Sequence, residues 1–141
     1  MKVQLTRRYR FSASHRLHSA ELSAEENRRI YGKCNNPYGH GHNYALEVTV
    51  GGAVNSFTGM IVNLVDLDQF VQREVVEPFD HRYLNEEVAA FQQTVPTTEN
   101  LCREVFRRLR RFPEARLERI RIEETGANSF EYAGEPGESH R

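Results

Sequence analysis

No stretch of this 141-residue chain approaches the roughly 18 consecutive apolar residues that a membrane helix needs, so a membrane-spanning role is not expected. Cysteine is scarce. Cys34 and Cys102 are the two present, and two thiols do not make a disulfide framework. Residues 1–10 alternate polar and apolar and carry several charges, which reads as a strand and not as a secretion signal. A reducing cytoplasm with both thiols free is therefore the expectation. Neither sign of charge dominates, with 19 Lys and Arg against 20 Asp and Glu and a formal net charge of -1. That balance excludes broad nucleic-acid binding driven by excess positive charge, though a local phosphate site needs only a few cations. Internal repeats and low-complexity linkers are also missing. What remains, 38% hydrophobic and 28% charged residues, fits one soluble globular domain over residues 1–133 with a polar tail over 134–141.

Hydrophobic periodicity divides the chain coarsely. Val3, Leu5, Tyr9, Phe11 and Ala13 share one parity, the mark of a half-buried strand. Residues 21–31 suit a short helix, and residues 32–41, rich in Gly, Asn and Pro, suit a loop. Tyr44, Leu46, Val48 and Val50 alternate as a second strand that is expected to turn at Gly51 and Gly52. Residues 60–64 read as a third strand, followed by a helix capped by Asp66 whose stripe is Leu67, Phe70, Val71 and Val75. Pro78 is expected to close that helix or lie just beyond it. Pro96, Thr97 and Thr98 announce a second helix with the stripe Leu101, Cys102, Val105, Leu109 and Phe112. Arg107, Arg108, Arg110 and Arg111 look like its solvated face. Residues 117–124 and 129–133 close the pattern as two strands. The order suggests an α+β fold, an antiparallel sheet with helices on one face.

Three of the six histidines stand apart. His40 and His42 flank Gly41 at the start of the second strand, and residues two apart point to one face. His42 shares the parity of Tyr44, Leu46 and Val48, and His15 that of Phe11 and Ala13. Two neighbouring strands can thus bring three inward imidazoles together, a set that suits a zinc ion with one open position. Hydrogen-bonded core histidines are the competing explanation, and His18 is a rival to His15. His140 lies in the polar tail.

Cys34 sits in polar surroundings between Lys33 and Asn35, unlike Cys102 on its apolar stripe. Near a metal it would suit a base or nucleophile, and otherwise it is a plain loop cysteine. Asp80 and His81 form a possible carboxylate-oriented proton shuttle, although adjacent residues need not touch. Glu124 continues the buried parity of Ile120 and Ile122, while Glu123 should face solvent. A buried carboxylate needs a partner, either an amidine-like ligand group or an arginine.

Several segments together resemble the 6-pyruvoyl-tetrahydropterin synthase family. They are residues 11–15 (FSASH), 34–44 (CNNPYGHGHNY), 79–85 (FDHRYLN), 96–101 (PTTENL) and Glu124-Thr125. The likeness runs from about Val3 to Ala133. It implies zinc on His15, His40 and His42, Cys34 as catalytic base, Asp80 with His81 as proton relay, and Glu124 as the pterin anchor aided by Thr97 and Thr98. It implies a four-stranded antiparallel sheet with two helices on one face, sheets joined into a barrel, and a homohexamer built as a dimer of trimers with sites between subunits. The implied reaction converts 7,8-dihydroneopterin triphosphate to 6-pyruvoyl-tetrahydropterin and triphosphate. Its redox change is internal, in agreement with the missing Gly-rich dinucleotide fingerprint. A sister activity, 6-carboxy-tetrahydropterin synthase on the route to queuosine, usually has three residues between the cysteine and His-Gly-His. Here there are five, residues 35–39, as in the pyruvoyl type. Gly126-Ala127-Asn128 departs from the family's usual Asp-Asn run in animals. A non-catalytic pterin-binding protein is the third possibility, and an intact Cys34 argues against it.

Overall fold

The long alternating segments become the centre of a single sheet. A computed structural model of the chain describes residues 1–136, so the expected tail and His140 lie largely outside the described residues. Strand β1 (Lys2–His15) pairs antiparallel with β2 (His40–Ala53) over its full length. Strand β2 then pairs with β4 (Arg116–Thr125), and β4 with β5 (Asn128–Tyr132), both antiparallel. The four strands that the family resemblance implied are five. Residues Arg82–Tyr83 form a two-residue strand, β3, parallel to β1 at Ala13 and Ser14, giving the order β3-β1-β2-β4-β5.

Helices line one face. Between β1 and β2 lies α1 (Ala24–Tyr31), started by a reciprocal pair in which Ser23 Oγ accepts from the Glu26 amide and the Glu26 carboxylate accepts from the Ser23 amide. Residues 60–64 do not form the expected strand. Residues 60–63 bend without strand pairing, and Asn63, not Asp66, caps α2 (Leu64–Val71) by accepting from the Val65 amide at 2.9 Å. A wide turn at Gln72–Val76 joins α2 to α3 (Glu77–Phe79), so the helical path runs through Pro78. Short α4 (Leu84–Glu87) follows β3. Helix α5 (Thr98–Leu109) is capped by the Thr97 side chain and buries the expected stripe of Leu101, Cys102, Val105 and Leu109. Helices α2 to α5 and the inward residues of the sheet, among them Phe11, Leu46, Val48, Ile120 and Ile122, share one core. Arg7 and Tyr9 on β1 both bond Asp68, at 3.0, 2.8 and 2.7 Å, and pin α2 to the sheet. The other face carries polar cross-strand pairs: Thr6 with Thr49 at 2.7 Å, and Glu47 with Arg121 at 2.9 Å and with Arg8. Among the described residues no helix is long and apolar enough to cross a membrane.

Two local departures have physical causes. Gly51 and Gly52 do not turn the chain. A Cβ on Gly51 would come within 2.7 Å of Glu118 Oε1, so glycine here admits a close approach from β4 beside a register shift at Thr49 and Val50. Pro78 lacks an amide hydrogen, so the helical partner of the Glu74 carbonyl is missing. Arg108 supplies it, donating from Nη1 at 3.1 Å. The same guanidinium donates to Glu104 at 2.7 Å and lies 4.8 Å from the Phe79 ring centroid. Arg108 is therefore a brace between α5 and the α2–α3 path and does not belong to a solvated face. Replacing Arg108 with alanine is predicted to cost about 2 kcal/mol, because it leaves the Glu74 carbonyl without its donor and the buried Glu104 carboxylate with Arg107 as its remaining guanidinium partner. Arg111→Ala, on an exposed side chain, should stay within about 0.5 kcal/mol. Urea denaturation measures both, and equal effects would remove the bracing role.

Candidate functional site

The β1–β2 ladder places His15 opposite His40, with His42 opposite Ala13. All three rings point to the helix side of the sheet. Ring centroids lie 5.1 Å apart for His15 and His40, 5.0 Å for His15 and His42, and 4.7 Å for His40 and His42. His15 is fully buried, and its Nδ1 lies 2.8 Å from the Pro96 carbonyl oxygen. A carbonyl can only accept, so Nδ1 carries the hydrogen and Nε2 presents its lone pair. His15 Nε2 is 3.2 Å from His40 Nε2. Two nitrogens on a tetrahedral zinc at the usual bond length would be about 3.3 Å apart. His42 Nε2 is buried with no hydrogen-bond partner, a vacancy that native proteins rarely tolerate without a ligand.

Burial is the main cause that holds the pKa of His15 below the ordinary histidine value; the Pro96 bond opposes it, and His42 and His40 add to the lowering. His42 is lowered by burial as well. Neutral imidazoles are the form that binds a metal. This donor set, with its orphaned nitrogen, fits a zinc ion. His18, the rival to His15, does not join it. Its Nδ1 accepts from Asn35 Nδ2 at 3.1 Å instead.

Cys34 rides on a single 3₁₀ turn, Gly32–Asn35, that follows α1. The turn is strapped to the segment after β1. The Leu17 amide donates to the Cys34 carbonyl at 2.7 Å, and Asn35 Nδ2 donates to the Leu17 carbonyl at 2.8 Å. The ligand atoms of His15, Cys34 and His40 all lie within 4.8 Å of one another, as do those of His15, His42 and Glu124. Burial, and then the Glu124 charge, push the Cys34 thiol up. In the metal-free protein Cys34 is thus held as a thiol, and an added cation would act the other way.

Glu124 comes to the histidine face as its parity requires, at an irregularity in the pairing of β4 with β5 between Glu123 and Thr125. Glu123 pairs across to Ala45 and Ser129. Among the described residues no arginine pairs with Glu124. The hydroxyl of the buried Thr98 donates to Oε2 through a short bond, and Asn128 Nδ2 donates to Oε1 at 3.3 Å. Thr97 is engaged in capping α5, its hydroxyl accepting from the Asn100 amide at 3.2 Å.

Asp80 and His81 do touch, with Asp80 Oδ2 3.4 Å from His81 Nε2. Asp80 Oδ1 accepts from the Ser12 amide at 2.8 Å, and the His81 amide donates to the Ser12 carbonyl at 2.6 Å. His81 has a positive φ of 60° and an 83% exposed side chain. It lines an open cleft of about 480 Å³ with Ser12, Ser14 and Asn43, and Ala13, Gly41 and His42 line the same cleft. Cys34 is not among the residues that line this cleft.

The residues that hold the site were not singled out by sequence reasoning. Asn85 clamps Arg16 just after His15, accepting from its amide and donating to its carbonyl, both at 2.8 Å. Asn35 and Asn128 act through similar bonds. The Pro96 carbonyl carries no side-chain signal. Tyr44, read only as a core residue, is wholly buried with its hydroxyl 3.5 Å from His15 Nδ1, stacked on Phe11.

Residues 4–135 match the family model of 6-pyruvoyl tetrahydropterin synthase. The chain belongs to that family. It is 48% identical over 132 residues to a 6-pyruvoyl tetrahydrobiopterin synthase from Poecilia reticulata, covering 93% of this chain and 90% of that one. It is 44% identical over 135 residues to the protein of that name from Homo sapiens, covering 95% and 93%. Among solved structures, the 6-pyruvoyl tetrahydropterin synthase of Caenorhabditis elegans superposes with a TM-score of 0.89 at 40% identity, covering 96% of this chain and 97% of that one. The histidine cluster, Cys34 and Glu124 all fall inside the segment that matches the family.

Acid sensitivity follows from His15, which is buried, and His42, which is partly so. Their folded pKa values lie below the unfolded value near 6.5. The unfolded chain then binds more protons just below that pH, so stability is full above it and is lost as pH falls toward the folded values. Metal-free protein should lose stability on acidification from pH 7 to 5.5, and His15→Gln should flatten that slope. Denaturant midpoints across the range would measure this; a slope unchanged by the substitution would contradict it.

Proposed function

We propose that this chain is a zinc-dependent 6-pyruvoyl-tetrahydropterin synthase, a carbon–oxygen lyase that converts 7,8-dihydroneopterin triphosphate to 6-pyruvoyl-tetrahydropterin and triphosphate. The observation that carries the reading is the convergence of the His15, His40 and His42 rings, with an orphaned Nε2 on His42, Cys34 close to His15 and His40, and Glu124 close to His15 and His42. A pterin-binding protein without catalysis has no use for a thiol at that position. The names borne by the similar proteins, and the five residues between Cys34 and His40, favour the pyruvoyl over the carboxy product.

His15, His40 and His42 would hold the zinc, which acts there as a Lewis acid toward side-chain oxygens of the substrate and acidifies the adjacent carbon-bound proton. Every other step belongs to the chain. Glu124, fixed by Thr98 and Asn128, anchors the amino group and ring N–H of the pterin through two parallel bonds. That contact sets the ring, and with it the side chain, against Cys34. The Cys34 sulfur removes the carbon-bound proton as triphosphate leaves. His81, oriented by Asp80, returns protons while the side chain rearranges and the ring gains the electrons the side chain loses.

The Asp80–His81 pair reaches the pterin from a neighbouring subunit in this reading. Strand β3 covers β1 only at Ala13 and Ser14. The rest of that edge, like the outer edge of β5, offers backbone groups to another sheet. A barrel of joined sheets and a cytoplasmic homohexamer, a dimer of trimers, complete the picture. Light scattering should report six chains; a fully active monomer would remove the shared site.

Mass spectrometry of products from 7,8-dihydroneopterin triphosphate tests the activity. The expected product is the pyruvoyl pterin, absent with a chelator and reduced at least 100-fold in Cys34→Ala. A carboxy product, or none, would overturn the assignment. Glu124→Gln should weaken pterin binding by about 2–3 kcal/mol, roughly 30- to 150-fold, and Glu123→Gln should leave it unchanged. The reverse result in a fluorescence titration would put the wrong face of β4 in the site.

A further inference from the structure

We propose that the Cys34 sulfur is a fourth ligand of the three-histidine centre while no pterin is bound, and that it leaves the centre to act as base when pterin enters. The proposal rests on the zinc reading above and goes beyond it by giving one residue two successive roles.

Three imidazoles leave one corner of a tetrahedral site, and a sulfur is among the donors zinc takes most readily. Two side chains stand within reach of that corner. Cys34 Sγ lies within 4.8 Å of ligand nitrogens of His15 and His40, and a Glu124 oxygen lies equally near those of His15 and His42. Their existing commitments separate them. Glu124 has both oxygens occupied, one by the Thr98 hydroxyl and one by Asn128 Nδ2. Among the described residues no hydrogen bond holds the Cys34 sulfur, whereas Cys102 Sγ sits 3.8 Å from the Phe130 carbonyl. Glu124 is thus built to keep its place, and Cys34 is free to move.

The backbone under Cys34 is firmly held. The Leu17 amide donates to its carbonyl, and Arg16 Nε donates to the Asn35 carbonyl at 3.3 Å. Asn35 in turn bonds the Leu17 carbonyl and His18, and Asn85 clamps Arg16 from the other side. His15 and Cys34 therefore sit on one braced unit, two residues and one turn apart through Leu17. A rotation about the Cα–Cβ bond of Cys34 is the motion required, with no loop rearrangement. The exchange conserves ligand number: the sulfur–zinc bond breaks, the pterin side chain takes the position given up, and the sulfur lone pair faces the carbon whose proton it removes. At rest the same contact shields the sulfur from alkylation and oxidation.

Zinc-edge X-ray absorption on the full-length zinc-loaded protein tests this. Pterin-free protein should show one sulfur per zinc in the first shell, and Cys34→Ser should show none while keeping its zinc. Saturation with 7,8-dihydroneopterin, the substrate without its triphosphate, should remove the sulfur from the wild-type spectrum. Stoichiometric zinc with a shell of nitrogen and oxygen only in the pterin-free protein would overturn the proposal and leave the zinc reading standing. A sulfur that persists in Cys34→Ser or in the presence of pterin would overturn it as well. Protein that binds no zinc at all would sink the metal reading first and this inference with it.

Discussion

The whole site hangs on the pairing of β1 with β2. Fourteen residues of one strand lie against fourteen of the other, from Lys2 opposite Ala53 to His15 opposite His40. Side chains alternate across a sheet, so a slip of one residue would turn every inward group outward. Phe11, Ala13 and His15 would leave the core together, and His42 would lose its face. The apolar half of the ladder, with Leu46, Val48 and Val50 fully covered, therefore fixes the register that the polar end uses. Packing and chemistry are parts of one alternation.

Placing three imidazoles together has an electrostatic cost that the surroundings manage. Burial keeps His15 and His42 neutral, which avoids repulsion between like charges at ring separations near 5 Å. The Pro96 carbonyl then selects the tautomer of His15, aiming its lone pair at the same space as His40 Nε2. Glu124 brings negative charge to the edge of this space and raises the proton affinity of Cys34 and Tyr44 beyond what burial does. A cation among the imidazoles answers each of these features at once: the orphaned His42 nitrogen, the converging lone pairs and the uncompensated carboxylate.

Much of this was legible in the chain because it depends on period-two alternation. The parity of Phe11 and Ala13 carries to His15, that of Tyr44 and Leu46 carries back to His42, and that of Ile122 carries on to Glu124. Features that depend on a single contact were not legible. Nothing in Arg82 and Tyr83 marks a two-residue parallel strand, because the Ser12 bonds to Asp80 and His81 create it. Residues 60–64 have strand composition, yet Asn63 finds the Val65 amide and starts a helix early. Two adjacent glycines suggested a turn, where the side chain of Glu118 needed the space. Proline at 78 suggested an end, and the helical path does end at Phe79, with Arg108 satisfying the carbonyl left over. Asn63 acts locally; at the other positions the deciding partner is distant in sequence.

The central claim is that His15, His40 and His42 form one metal centre, and anomalous diffraction tests it most directly. Data collected on either side of the zinc edge, from crystals of protein purified without added chelator, should give one anomalous peak per chain, within about 2.1 Å of a ring nitrogen of each of the three histidines. No peak in that space, or a peak bound elsewhere with His42 Nε2 still unpartnered, would contradict the account.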